Sequence, residues 1–309
     1  MAIPLAHPLL AVSGPTAAGK SDLALALAEH AHGEIVNCDS LQVYRGFNIG
    51  TAKDIPKSVP HHLFDILDPT EVFTAGDYAR RATLVLAEIA ARGKTPVLVG
   101  GTGLYLRALI DGLSPAPLRN VELRARLDQR DAARLHRLLR RLDAVTAARI
   151  HPNDKPKTIR AIEVCLESRQ PMSRVIAEER QRLEGFDVVK FVLNPPRAAL
   201  YERINERSRR MFERGLIDEV RSLLAAGVPE TVKPFDAPGY TEALAVIHGK
   251  MTIEEAIDLT QRRTRHYAKR QTTWFRGDRD IRWLNGFGDD PEIRAQAIKA
   301  SHPSNPPSA

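Results

Sequence analysis

The chain has 309 residues, with 45 Lys+Arg against 38 Asp+Glu for a formal net charge of +7, and 43% hydrophobic residues. That balance excludes a disordered or low-complexity polymer and sets a prior of one large or two smaller domains. Two cysteines, Cys38 and Cys165, exclude a disulfide scaffold and point to a reducing, cytoplasmic setting. There is no apolar run of membrane-spanning length, and the N-terminus lacks the basic region of a signal peptide, so no membrane partner is expected.

In chain order, residues 9–13 (LLAVS) predict a short buried strand. Gly14-Pro15-Thr16-Ala17-Ala18-Gly19-Lys20-Ser21 follows, matching G-x-x-x-x-G-K-[ST], and then an apolar-rich helix. Glycines let successive N–H groups face one anion, Lys20 adds a point charge, Ser21 offers a hydroxyl to a cation, and the helix presents its positive end. The pattern predicts binding of a di- or triphosphate without saying what is done with it. Residues 34–38 predict a second strand ending at Asp39, 77–92 an amphipathic helix closed by Gly93, and 95–99 a third strand running into Gly100-Gly101-Thr102. Strands alternating with helices imply a parallel sheet.

A nucleotide-hydrolysing P-loop protein usually carries a metal-holding Asp after a later strand. Here TPVLV ends in glycine, and the acid is Asp39 on the strand before. At the carboxyl edge of a parallel sheet, Asp39 can serve as a metal-shell residue, as a general base, or as the cap of the following turn. Thr102 offers a hydroxyl at the same edge.

From residue 119 the pattern turns helical, with Leu135, Leu138, Leu139 and Leu142 at helical spacing. A strand returns at 187–193, followed by helices predicted at 197–226 and 253–275. The expected fold is α/β, a P-loop NTPase-like parallel sheet with flanking helices and a mostly helical insertion. Residues 1–114 and 186–300 form the expected core, 115–185 the insertion, and 301–309 a disordered Pro/Ser-rich tail.

Charge is uneven. Residues 1–110 hold 9 basic and 10 acidic side chains, 119–182 hold 16 and 9, and 262–282 hold 8 and 2. A near-neutral sheet followed by two basic regions is the footprint of a polyanion partner, although arginine-rich helices also have solvated faces. In the last helix Arg262, Arg265, Lys269 and Arg276 share one face, while Tyr267, Gln271 and Trp274 lie on another, with Trp274 and Phe275 expected in the core. Adjacent His61 and His62 would point to opposite sides of a strand and read as structural.

Seven segments occur in order: GPTAAGKS, NCDSLQVYRGFNIGTAK (37–53), VPHHLFDILDP (59–69), VLVGGTGLY (97–105), ARIHPND (148–154), GYTEA (239–243) and KRQTTWFR (269–276). Together they resemble the tRNA dimethylallyltransferases, also called tRNA isopentenyltransferases, over residues 9–284, in their bacterial form without a zinc finger. The resemblance implies transfer of a dimethylallyl group from dimethylallyl diphosphate to N6 of adenosine 37, beside the anticodon of tRNA, with Mg²⁺ assisting and diphosphate leaving. It implies dimethylallyl diphosphate and the tRNA anticodon stem-loop as partners; the chain itself is expected to be a monomer.

The implied catalytic groups are Lys20, Asp39 as general base, and Thr102. The implied diphosphate site is Gly14 to Ser21 with Arg207, and Ser21 is the implied metal contact. The implied tRNA contacts are Asp39, Ser40, Leu41, Gln42, Thr102, Arg124, Pro156, Lys157, Thr158, Ile159, Arg160, Lys269, Arg270, Gln271 and Arg276. One position departs from the family pattern: Thr241 stands where a basic residue is frequent, removing one implied phosphate contact. An adenylate isopentenyltransferase acting on free nucleotide, a small-molecule P-loop kinase and a non-catalytic P-loop RNA-binding protein are the competing readings. The basic insertion argues against the first two, and Asp39 with Thr102 at the ligand edge argues against the last.

Overall fold

The computed structural model describes residues 6–56, 58–114, 116–177, 180–278 and 280–301. The tail expected at 301–309 lies outside the described residues except for Ser301. The chain folds as two compact units, residues 1–109 with 184–309, and residues 110–183. Six strands, β1 (His7–Ser13), β2 (Glu34–Asn37), β3 (His61–His62), β4 (Pro96–Val99), β5 (Phe186–Leu193) and β6 (Ile281–Leu284), form one sheet in the order β3-β2-β4-β1-β5-β6. Every pairing is parallel, with Leu10 facing Val97 on one side and Val189 on the other. β1 reads as a near-continuous apolar run because a central parallel strand is covered on both faces.

Helices follow in chain order: α1 (Lys20–His30), α2 (Ala75–Ala91) and α3 (Gly103–Ile110), then α4 (Val121–Asp128), α5 (Ala132–Leu142), α6 (Ala144–Arg149), α7 (Lys155–Ser168) and α8 (Met172–Ala177) in the inserted unit. After β5 come α9 (Arg197–Glu213), α10 (Leu216–Ala225), α11 (Tyr240–Ile247), α12 (Ile253–Phe275) and α13 (Pro291–Lys299). The stretch expected to be helical over 197–226 is two helices. Gly215, at φ +90°, takes the left-handed conformation that ends α9 and starts α10.

α2 opens with a reciprocal cap between Thr74 and Asp77. Leu23 and Leu27 of α1 pack with Leu10 and Val12 of β1 and with Ile293 and Ala297 of α13 in one buried cluster. His62 Nε2 lies 2.6 Å from Glu34 Oε2, and His61 Nδ1 lies 2.6 Å from Val59 O, which gives both rings partners within the fold.

The inserted unit has its own core of Leu127, Leu135, Leu139, Ile159 and Ile162. Beneath it Glu163 is fully buried. Its Oε2 accepts from Arg124 Nη1 at 3.1 Å and Arg160 Nη1 at 2.7 Å, and its Oε1 from the Asn120 amide at 2.6 Å. Among the described residues no helix is long and apolar enough to cross a membrane.

Candidate active site

The carboxyl ends of β1, β2 and β4 release three loops onto one edge of the sheet, where open α/β sheets bind ligands. The loop after β1 is Gly14–Gly19, running into the N-terminus of α1. Lys20 Nζ donates to Pro15 O at 2.8 Å. Burial, reinforced by the Arg207 guanidinium, lowers the Lys20 ammonium to about 8, against an upward pull from Asp39. Arg207 reaches the site from α9. Burial lowers its pKa, Asp39 opposes that, and its Nη2 donates to Thr51 O at 3.3 Å.

The loop after β2 carries Asp39. Its Oδ1 accepts the amides of Leu41 at 2.8 Å and Gln42 at 3.4 Å, which is the turn cap. Its Oδ2 accepts no hydrogen bond among the described residues, so half of the carboxylate remains open for other chemistry. Asn37 fixes this loop from below, accepting the Asp39 amide at 3.0 Å and donating to Leu63 O at 3.0 Å. The loop after β4 presents Thr102, whose Oγ1 accepts the Ser40 amide at 3.1 Å and whose own amide donates to Cys38 O at 3.4 Å. Thr102 thereby ties the β2 and β4 ends together.

A cavity of about 850 Å³ opens beside these loops, with Ser40 and Thr102 outside its lining. Thr16, Ala17, Gly19, Lys20, Ser21, Asp39, Leu41, Gln42 and Arg207 line it, while Gly14, Pro15 and Ala18 are buried behind it. It also takes in residues that the sequence reading did not assign. Arg203, Arg210 and Arg214 line it beside Arg207. Their spacing of 4, 3 and 4 residues places Arg203, Arg207 and Arg210 on one face of α9 with Arg214 at its C-terminal cap, a signal present in the sequence. Arg203 pairs with Asp289 at 2.7 Å and Arg210 with Glu206 at 2.8 Å. Tyr267 of α12 lines the cavity too. Burial and then the Asp39 charge push its hydroxyl above the usual phenol range, so it stays a neutral donor.

Three of the implied tRNA contacts face inward. Thr158 and Ile159 are 0% and 4% exposed in the core of the inserted unit, because α7 turns that face inward. Gln271 is also buried, with its amide oxygen on Thr16 N and its amide nitrogen on Gly101 O. Pro156 and Lys157 are exposed, Lys157 paired with Asp154 at 2.6 Å. Arg124 and Arg160 keep about a quarter of their side-chain surface in water, at 27% and 28%, while paired to Glu163. Lys269, Arg270 and Arg276 are exposed. Lys269 and Arg276 border a second cavity of about 170 Å³ with Arg197, Tyr201 and Pro15. Phe275 is in the core as expected, but Trp274 is 39% exposed, with the Arg107 guanidinium 4.5 Å above its ring. Thr241 is exposed and its hydroxyl donates to Phe235 O at 2.8 Å.

Among the described residues there is no cluster of three His, Cys, Asp or Glu side chains suited to a metal. Oxygen donors at the phosphate loop include the Thr16 and Ser21 hydroxyls and the Asp39 carboxylate. A hard cation that keeps several waters and takes its other oxygens from a substrate phosphate fits such a set.

A sequence model of the family described as IPP transferase matches residues 42–278. The chain is 55% identical over 298 residues to a tRNA dimethylallyltransferase of Solibacter usitatus, covering 94% of this chain and 97% of that protein. It is 53% identical over 303 residues to one of Koribacter versatilis, covering 96% and 98%. The crystal structure of the tRNA isopentenylpyrophosphate transferase of Bacillus halodurans superposes with a TM-score of 0.69 at 37% identity, covering 96% of this chain and 98% of that one. A eukaryotic dimethylallyltransferase captured acting on tRNA superposes with a TM-score of 0.80 at 27% identity, covering 95% and 79%. A six-stranded parallel sheet with its phosphate loop after the central strand is the P-loop NTPase-like fold of these relatives. On its sequence and on its fold the chain belongs to the IPP transferase family.

Proposed function

We propose that this protein transfers the dimethylallyl group of dimethylallyl diphosphate to N6 of adenosine 37 of tRNA, releasing diphosphate. The observation that carries the reading is the meeting of Lys20, Arg207 and an Asp39 carboxylate with one open oxygen in a single cavity. A hydrolase would want its acid after β4, where this chain has Gly100 and Gly101. Here the phosphate loop holds a leaving group and the acid sits where a nucleophile arrives.

In the step, the bond between the allylic carbon and diphosphate oxygen breaks, and its electron pair leaves with diphosphate. A bond forms from adenine N6 to that carbon, and the displaced N6 proton passes to Asp39 Oδ2. The adenine amine is a poor nucleophile because its lone pair is delocalised into the ring. Hydrogen bonding to a carboxylate raises its electron density as the bond forms. Charge developing on the diphosphate meets the loop amides, Lys20 and Arg207, all in place before the reaction. Thr102 keeps Ser40 and the Asp39 turn in register. Ser21 would hold Mg²⁺, which supplies charge neutralisation on the departing diphosphate when bound.

The target base must leave its stack to reach the cavity, which costs least in a loop. The basic surface of the 110–183 unit, with Arg124, Lys157 and Arg160, and the exposed Lys269, Arg270 and Arg276 of α12 suit a tRNA backbone. A free nucleotide needs no such surface. Two cysteines with no disulfide between them fit action in the cytoplasm. The reading is tested by offering unmodified tRNA and free AMP separately, with dimethylallyl diphosphate and Mg²⁺, then weighing the digested nucleosides. Transfer to one adenosine of tRNA and none to AMP is expected. Transfer to AMP, or to neither, would refute it.

A further inference from the structure

α12 meets two of the three ligand loops through one side chain. Gln271 is 6% exposed, and its two amide atoms are used in opposite senses. Oε1 accepts the Thr16 amide at 2.9 Å, and Nε2 donates to Gly101 O at 3.0 Å. The assignment of its oxygen and nitrogen follows from the partners, since one is an N–H and the other a carbonyl. The approach is so close that a Cβ on residue 101 would lie 2.1 Å from Nε2, so a side chain there would push the Gln271 amide out of its place. On one side of the amide is the phosphate loop. On the other is the turn whose Thr102 accepts the Ser40 amide and so fixes the Asp39 loop.

We propose that Gln271 is a positioning residue that sets the distance between the diphosphate-holding loop and the loops carrying Thr102 and Asp39. The proposal rests on the prenyl-transfer reading for what that distance does. Leaving group and attacking amine are held by different strands' loops, and one buried amide spans the gap between them. A carboxamide is suited to this because it offers an acceptor and a donor on one short planar group. An ionised carboxylate of the same shape would keep the bond to Thr16 N and place a lone pair against Gly101 O. A protonated carboxyl would restore both bonds.

That difference gives a test with a pH signature. Gln271→Met removes both hydrogen bonds at similar volume. It is expected to lower kcat by about tenfold to a hundredfold while leaving the KM for tRNA unchanged. Diphosphate binding by calorimetry, which needs no turnover, is expected to weaken about tenfold. Gln271→Glu is expected to be as impaired at about pH 8 and to regain activity relative to wild type toward about pH 5.5, as the introduced carboxyl takes up its proton. It also serves if the methionine variant does not fold. Unchanged diphosphate affinity in Gln271→Met, or a Gln271→Glu to wild-type ratio flat across pH, would overturn the proposal. Loss of wild-type transfer to tRNA would refute the prenyl-transfer reading instead, and the binding measurement would still judge the strut.

Discussion

Asp39 serves two ends with its two oxygens. Oδ1 caps the turn at Leu41 and Gln42, and Oδ2 accepts no hydrogen bond among the described residues while Asp39 lines the cavity. Of the three readings of Asp39 from sequence, the turn cap is the contact present in the fold, the base and metal-shell roles are proposed for the other oxygen, and spacing alone cannot divide one carboxylate among them. Asp39→Asn keeps an oxygen for the cap and removes the base. It is expected to lower kcat about 10²–10⁴-fold with the thermal midpoint and tRNA affinity unchanged, as read by steady-state kinetics, calorimetry and a filter-binding titration. A loss of midpoint matching the loss of rate would mark Asp39 as a cap alone. Lys20 gives a second expectation. Its folded value of about 8 lies below the ordinary lysine value, so above that pH the free site loses its ammonium. A bound diphosphate stabilises the charged form and raises the pKa again. Binding of dimethylallyl diphosphate at about pH 8.5 should then take up a fraction of a proton that Lys20→Met does not. Calorimetry in buffers of different ionisation enthalpy reads the difference, and identical proton counts would contradict it.

At the scale of elements, β1, β2, β4, β5 and α12 stand where apolar runs and helical spacing put them, because burial on both sheet faces leaves an unmistakable pattern. β6, α11 and α13 carried no such pattern. The break between α9 and α10 needed Gly215 to be seen as a left-handed cap rather than as a tolerated interior glycine. The inward turn of Thr158, Ile159 and Gln271 is hidden for another reason: a motif is read as a block, whereas a helix turns one face of it to the core and the other to solvent. Glu163 shows what α7 does with its core face. It holds Arg124 and Arg160 together, so Glu163→Ala leaves two guanidinium groups without their shared carboxylate. The expected cost is about 3 kcal/mol, at the low end for a buried pair because both arginines keep some water. Urea unfolding followed by circular dichroism measures it, and a change below about 1 kcal/mol would place the triad among surface pairs.

For the whole molecule, the net charge of +7 resolves into a near-neutral sheet, where the small diphosphate is proposed to bind, and two basic helical regions suited to a polynucleotide. The two anions should therefore respond differently to salt. The logarithm of tRNA affinity should fall linearly with the logarithm of salt concentration. Lys269→Ala and Arg276→Ala should each flatten that slope by roughly 0.7–0.9; an unchanged slope in both would move the tRNA backbone off α12. The most direct measurement of the central claim follows diphosphate release and nucleoside mass together in one reaction. The account predicts one diphosphate released per adenosine modified, and none without tRNA. Diphosphate released in the absence of tRNA, or released without a dimethylallyl gain on adenosine, would contradict it.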